Sequence, residues 1–310
     1  MINNSKYRFL FLLAFGFIYN QMYAQQLPFY SQYLLNDYAY NPSIAGARPY
    51  FDVKSNHRYQ WVGITDSPRT YTLSINGPTK NRKMGLGGFL YTDHVGPTRR
   101  TGFQFSYAYH FNMSDKIRLS LSLSAGLIEW KLDAHKITLY DPSDQVIVNS
   151  VMRAIAPDAK FGFLLYHDNW FFGGAAPNLI RSKLNFSNSI NTGLSRLENH
   201  FYLHGGYTFD LSEDLVIEPS FMVKFVSPAP IQLDLMSRIV WKKQLWLGVA
   251  YRTMDAASAM IGYIFKQNLL LGYSYDFTTS NLRNYSSGTH ELMIGVRFVR
   301  NQTFELPSTD

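Results

Sequence analysis

The sequence predicts an all-β protein, a transmembrane outer-membrane β-barrel of about fourteen antiparallel strands, preceded by a non-strand segment. Three observations carry this expectation. Rings are abundant and charges scarce: 23 Phe, 22 Tyr and 5 Trp accompany only 16% charged residues in 310, against about 25% in an average soluble domain. From residue 51 onward, apolar and polar residues alternate with the period of a half-buried strand. The alternating segments run about 9–12 residues, the length a tilted strand needs to cross a bilayer, whereas soluble strands centre near five or six.

The composition also excludes classes. The longest apolar run, Phe9 to Ile18, is well short of the roughly 18 residues of a membrane helix. So many rings on so modest a net charge argue against disorder. The absence of cysteine removes disulfides, thiolate nucleophiles and Cys-ligated metals together. The formal charge of +7 is scattered and forms no basic run, so no nucleic-acid partner is expected.

Taken in order, residues 1–24 read as an export signal. Lys6 and Arg8 supply the charge, Phe9 to Ile18 the apolar core, and Ala24 the small residue before the cut. Residues 25–50 neither alternate nor show a helical stripe, yet are too aromatic for a linker. They are expected to fold into the lumen as a plug, the favoured placement, or to project into the periplasm as a docking arm, with Tyr30, Gln32, Tyr33, Asn41 and Pro42 as candidate contacts.

The barrel occupies 51–299. Phe103, Phe105, Tyr107, Tyr109 and Phe111 alternate with Gly102, Gln104, Ser106, Ala108 and His110, and Leu119, Leu121 and Leu123 with Ser120, Ser122 and Ser124. Strands are expected near 51–60, 69–77, 83–93, 100–111, 116–131, 158–166, 169–176, 198–209, 214–226, 231–241, 245–253, 256–265, 268–277 and 289–299. A short tail, 300–310, follows.

Every second connection is brief and polar, such as Asn112 to Asp115 or Lys242 to Gln244, while the others include the long stretches 132–157, 177–197 and 278–288. Short turns on one rim and long loops on the other are the habit of outer-membrane barrels. Tyr59, Trp61, Tyr109, Trp130, Tyr166, Trp170, Trp241, Tyr251 and Tyr275 fall near strand ends, where an interfacial girdle places an apolar body with a polar edge.

With Leu, Ile and Phe facing lipid, the opposite parity carries Glu218, Lys224, Asp234, Arg238, Arg252, Asp276, Glu291 and Arg297, four acids and four bases. A cation on the lipid face costs about 2–4 kcal/mol at mid-membrane, so these charges belong in the lumen. They form there a neutral network that braces the wall, holds the plug or lines a path for a polypeptide. On the same facing, an arginine at Ser122 is tolerated better than one at Leu121.

Catalytic constellations are sparse. His110 and His204 fall on the inward parity, where a polar lumen residue is a commoner role than a base or ligand. Asp141-Pro142-Ser143-Asp144 lacks the glycine and distal glutamate of a calcium loop. Gly85-Leu86-Gly87-Gly88 sits in an alternating strand with no lysine after it, so its glycines relieve crowding inside the barrel rather than cradle a phosphate. No catalytic residue, metal site or cofactor is expected.

Tyr30-Ser31-Gln32-Tyr33, Asn36 and Asn41-Pro42-Ser43-Ile44-Ala45-Gly46 resemble the PorP/SprF family of the Bacteroidetes type IX secretion system and its gliding machinery. The likeness continues in order through Trp61, Ser67-Pro68-Arg69-Thr70, Met84-Gly85-Leu86-Gly87-Gly88, Glu218-Pro219-Ser220, Trp246-Leu247-Gly248-Val249-Ala250-Tyr251-Arg252, Gly272-Tyr273-Ser274-Tyr275-Asp276 and His290-Glu291-Leu292. The resemblance implies an integral outer-membrane protein, embedded in lipid, that works with the secretion machine and is not an enzyme. It also implies partners: a periplasmic ring complex of lipoproteins, an exported adhesin bearing a C-terminal targeting domain, and a partner for any peptidoglycan anchorage, since the tail is too short to bind the wall itself. One departure is that the last strand ends at Phe298 with residues 299–310 beyond it. The competing expectation is a porin-like solute channel, which rests on barrel architecture alone.

Overall fold

A computed structural model describes residues 27–137, 151–186 and 196–298. The export signal, the Asp141–Asp144 segment and the 300–310 tail lie outside the described residues. Fourteen strands follow one another: β1 (Phe51–Tyr59), β2 (Arg69–Pro78), β3 (Met84–Val95), β4 (Thr98–Asn112), β5 (Arg118–Asp133), β6 (Val151–Tyr166), β7 (Trp170–Ala176), β8 (His200–Tyr207, continued by Phe209–Asp210), β9 (Leu215–Val226), β10 (Gln232–Trp241), β11 (Leu245–Arg252), β12 (Ala256–Phe265), β13 (Leu269–Thr278) and β14 (Thr289–Phe298). Each pairs antiparallel with its neighbours, and β1 pairs with β14 over Phe51↔Phe298 to Tyr59↔His290, closing the barrel. Closure leaves no open edge to satisfy within a bilayer.

The alternation sets the facing. On β4 and β5, Phe103, Phe105, Leu121 and Leu123 are exposed on the outer wall, while Gln104, Ser106, Ser122 and Ser124 are buried inside. The girdle needs two corrections. Tyr59, Tyr109, Trp241 and Tyr251 are exposed on the outer wall, but Trp130 points inward over the Arg100 guanidinium and Tyr166 points inward to His110. Each sits on the inward parity of its strand, which outweighs the preference of a ring for the interface.

The largest boundary difference is β6, which starts at Val151, seven residues before the sequence expectation. Pro157 disguised it. β7 reaches along β6 only to Phe161↔Ala176, so Pro157 has no β7 partner and its missing N–H costs no ladder bond there. Its carbonyl accepts the Ser182 hydroxyl at 2.6 Å.

The connections sort by rim. The strand ends joined by 60–68, 134–150, 177–199 and 279–288 lie at one end, termed here the long-loop rim. The turns at 79–83, 113–117, 167–169, 211–214, 242–244 and 266–268 lie at the other, together with Phe51 and Phe298. Three connections at the long-loop rim are nevertheless short: 96–97, 227–231 and 253–255.

Residues 30–46 occupy the lumen. Two 3₁₀ turns, Asp37–Ala39 and Pro42–Ile44, shape them. Asn41 caps the second by accepting the Ser43 N–H at 3.0 Å, with Pro42 at the first turn position, where its missing N–H is no loss. Tyr30, Tyr33, Tyr38, Tyr40 and Ile44 form the centre of the core with wall residues such as Leu164, Trp246 and Met293. The described ends of the connection after β7 also turn inward, setting Leu184 and Leu197 on Ile128, Ala154 and Ala156.

Candidate functional site

The site is the contact between the lumen segment and the wall around it. Its first part lies towards the long-loop rim. The Glu291 carboxylate accepts the Ser31 N–H at 2.7 Å and the Gln32 N–H at 3.3 Å, while the Gln32 side chain donates to the Glu291 carbonyl at 3.2 Å. The Ser31 hydroxyl donates to Asp276 at 2.6 Å. Between the two carboxylates stands Arg58, which donates to Glu291 at 3.0 Å, to Asp276 at 2.8 Å and to the Ser31 hydroxyl at 2.8 Å. The array continues from Asp276 to Arg252 at 3.9 Å, from Arg252 to Asp234 at 3.1 Å and from Asp234 to Lys224 at 2.7 Å.

Three cations, Arg58, Arg252 and Lys224, therefore meet three buried acids, and a fourth, Asp255, bonds Arg252 at 3.0 Å from the rim side. Buried charges are tolerated only when paired and hydrogen-bonded, and here the lumen segment supplies several of the bonds. Phe29 lies over this cluster, its ring centre 4.2 Å from the Arg252 guanidinium carbon and 5.0 Å from those of Arg58 and the Lys224 nitrogen. The negative face of the ring adds cation–π attraction.

The middle of the segment is held mostly by neutral groups. Asn36 donates to Asn56 at 2.7 Å and accepts from Ser74 at 3.0 Å. The Tyr38 hydroxyl donates to Ser106 at 2.9 Å, and the hydroxyls of Tyr33 and Ser43 meet those of Ser220 and Ser122 at 3.0 and 2.7 Å. Asn41 donates to the Phe163 carbonyl and meets Nε2 of His204, both at 2.9 Å. His110 donates through Nε2 to the Ala45 carbonyl at 2.9 Å, and Lys160 donates to the Ala39 carbonyl at 3.2 Å.

Close approach explains two glycines. A Cβ at Gly85 would stand 1.9 Å from the Ala45 carbonyl oxygen, and one at Gly87 would stand 2.4 Å from the Tyr38 hydroxyl. Any side chain at either position occupies space that the lumen segment fills.

The lower end is pinned by Asp37 and Arg48. Their fork-to-carboxylate contact has arms of 3.1 and 2.5 Å, the bidentate geometry that arginine favours. Burial alone raises the affinity of Asp37 for a proton, yet Arg48 first and Lys54 second hold its carboxyl below the usual range. The chain then leaves the lumen beside Arg82 and Asp115 on the short turns.

A family model described as type IX secretion system membrane protein PorP/SprF matches residues 22–296. The chain belongs to the PorP/SprF family. Its solved structural neighbours include a FadL homologue from Pseudomonas aeruginosa, 12% identical, with a TM-score of 0.51 over 85% of this chain and 94% of that one. Another is the outer-membrane protein Omp33 of Acinetobacter baumannii, 8% identical, with a TM-score of 0.48 over 82% and 100% of the two chains. At such identities the first of these shows a shared barrel fold and nothing finer. No curated protein sequence matches the chain. This PorP/SprF member is thus an integral outer-membrane barrel of the type IX secretion system.

Of the eight inward charges expected from the PorP/SprF sequence, Lys224, Asp234, Arg252, Asp276 and Glu291 lie in the one connected array. Glu218 and Arg238 pair with each other apart from it. Arg297 also stands apart, over the Tyr50 ring at 5.0 Å. The reason is distance along the strand: Arg297 and Glu291 are six residues apart on β14, about 20 Å at strand rise. The expectation of one network of eight is corrected to an array of five joined by Arg58, one separate pair and, among the described residues, one cation without an ion pair.

Tyr30, Gln32, Tyr33, Asn41 and Pro42 are all buried against the wall or within the segment. Sequence reading missed Arg58, Asp52 and Lys54 on β1, and Ser31, Phe29 and the Asp37–Arg48 pair. A signal existed for β1, since Asp52, Lys54, Asn56 and Arg58 occupy alternate positions of one strand.

Proposed function

We propose that this barrel is a non-catalytic docking component that supports export or surface attachment of large adhesins carrying a C-terminal targeting domain. The observation that carries the reading is the lumen segment, bonded to the wall from Ser31 to Ala45. A bore occupied in this way leaves the two rims as working surfaces. At the short-turn rim a recess of about 570 Å³, bordered by Arg82, Asp115, Lys116, Asp168 and Trp170, suits the periplasmic lipoprotein ring. Anchorage to peptidoglycan then comes through such a partner. The test is deletion of the gene: the adhesin is expected to be lost from the cell surface and motility to stop, and normal export with normal motility overturns the reading.

A porin-like or solute-channel reading is favoured by one feature, a cavity of about 340 Å³ at the long-loop rim between Leu27, Phe29, Phe225, Pro230 and Met254. Planar-bilayer recordings separate the two. A steady large conductance that is unchanged when residues 25–50 are deleted supports the channel.

A further inference from the structure

Five basic side chains stand in one cross-strand row on the outer wall. Arg69 of β2 is the register partner of His94 on β3, His94 of Arg99 on β4, Arg99 of Lys131 on β5, and Lys131 of Arg153 on β6. All five lie at the strand ends next to the long-loop rim, on the parity that faces away from the lumen. Arg69, His94 and Arg153 are exposed, and Arg99 and Lys131 half-buried.

Like charges set directly opposite one another across strands, as Arg99, Lys131 and Arg153 are, destabilise a sheet. The acids on this face offset them only in part. Glu129 reaches Arg99 at 3.4 Å and Asp133 reaches His135 at 3.2 Å, whereas Arg69 and Lys131 have no acidic partner within 4.0 Å among the described residues. Arg69 and Lys131 are thus the cations of the row that an anion from outside the chain can meet.

The register beneath the row shows where that anion lies. One step inward along the outer face come Tyr71, Thr92, Thr101, Glu129 and Ile155, which are cross-strand partners in turn. The next step is Leu73, Leu90, Phe103, Leu127 and Pro157. The wall thus passes from cations through a mostly polar row to hydrocarbon within four residues, about 13 Å of strand. Elsewhere on the same rim the outward strand ends are Tyr59, Ala176, Phe201, Phe225, Leu233, Tyr251, Ala257, Phe277 and His290, with no lysine or arginine. The charge is confined to the arc from β2 to β6.

We propose that this row binds the phosphate groups of a phosphorylated glycolipid in the outer leaflet of the outer membrane. The inference rests on the reading that the long-loop rim faces outward. Arginine and lysine at a membrane surface recognise clustered anions by charge-assisted hydrogen bonds. Strands tilted by about 35–45° make the row climb across the wall, so it meets phosphates at several depths of a thick headgroup layer. Leu73, Leu90, Phe103 and Leu127 then lie against the acyl chains of the same lipid.

The test uses the purified full-length barrel in phosphatidylcholine nanodiscs or neutral detergent, titrated with bis-phosphorylated lipid A, with dephosphorylated lipid A and with inorganic phosphate. Lipid adducts are counted by native mass spectrometry. The expected result is binding of the phosphorylated lipid, roughly a hundredfold weaker in the triple variant Arg69→Ala, Arg99→Ala, Lys131→Ala, about fivefold weaker in each single variant, and retained in Arg69→Lys with Arg99→Lys. Equal affinity of the triple variant and the parent overturns the proposal. So does equal binding of the dephosphorylated lipid, and displacement by millimolar inorganic phosphate identifies a free-anion site instead. Orientation is read separately, from thiol labelling of Arg69→Cys on intact cells. Labelling only after permeabilisation refutes the outward reading even where the purified protein binds lipid.

Discussion

Arg58 and Glu291 are direct register partners at the seam between the first and last strands, and the carboxylate that meets Arg58 at 3.0 Å also accepts the Ser31 N–H at 2.7 Å. The bond that helps close the barrel and the bond that holds the lumen segment therefore share one carboxylate. Removing Arg58 leaves Glu291 and Asp276 buried without their shared cation. Arg58→Met is expected to destabilise the folded barrel by about 3–5 kcal/mol, read as a lower urea midpoint for loss of the heat-modifiable band. An unchanged midpoint would show that the two carboxylates do not depend on Arg58.

The approach of Gly85 to Ala45 predicts a local effect. Gly85→Val should expel the 41–48 stretch, exposing an engineered protease site in residues 25–50 in otherwise folded barrels. Gly88→Ala is the control, since its Cβ would meet only Ile75, at 3.5 Å, and protection there should match the parent.

Ser122 changes what facing alone implies. Its hydroxyl lies 2.7 Å from that of Ser43, so an arginine at Ser122 has no room although it faces the lumen. Ser122→Arg and Leu121→Arg should both impair assembly, the second by about 2–4 kcal/mol if its position lies near the bilayer centre. Deleting residues 25–50 should rescue only Ser122→Arg. Rescue of both, or of neither, would mean the facing assignment is wrong.

Asp37 makes the hold on the segment depend on pH. Its carboxyl is lowered in the folded state from an ordinary value of 3.8, so its contribution is complete above that value and fades as pH falls through the lower, folded one. Protection of a cysteine placed at Ala47 should be constant from neutral pH down to about 4 and decline below it. In Asp37→Asn, protection should be weaker at neutral pH and the acid-dependent decline absent.

Topology is checked by thiol labelling on intact cells. Cysteines at 134–150 are expected to react, and cysteines at 242–244 only after permeabilisation. The opposite pattern inverts the barrel.

Much of the wall was legible because one physical rule, alternation against lipid, governs every strand from Phe51 to Phe298. The rule fails where another force decides. Pro157 hid the start of β6 because the ladder bond it forgoes is absent on that side. Trp130 and Tyr166 were assigned to the girdle by residue type, yet parity turned them inward. The inward charges of the second half were found by parity, but Arg58 was not. Its role depends on β1 meeting β14, a pairing of residues 233 positions apart that no local pattern encodes. The lumen segment has no period at all, so its bonds to Ser106, Ser122 and Ser220 become visible only once the wall is folded round it.

The course of that segment has a consequence for the order of assembly. Leu27 and Phe29 stand among the loops of one rim, and the chain passes down the lumen before entering β1 at the other. Once β1 and β14 have paired, residues 30–46 cannot be threaded through a bore already lined with their partners. The segment must be in place before the seam zips shut, so β1 arrives at β14 carrying its own occupant. Variants that loosen the segment without removing it should therefore slow insertion more than they speed unfolding, because the occupant has to be seated before β1 meets β14.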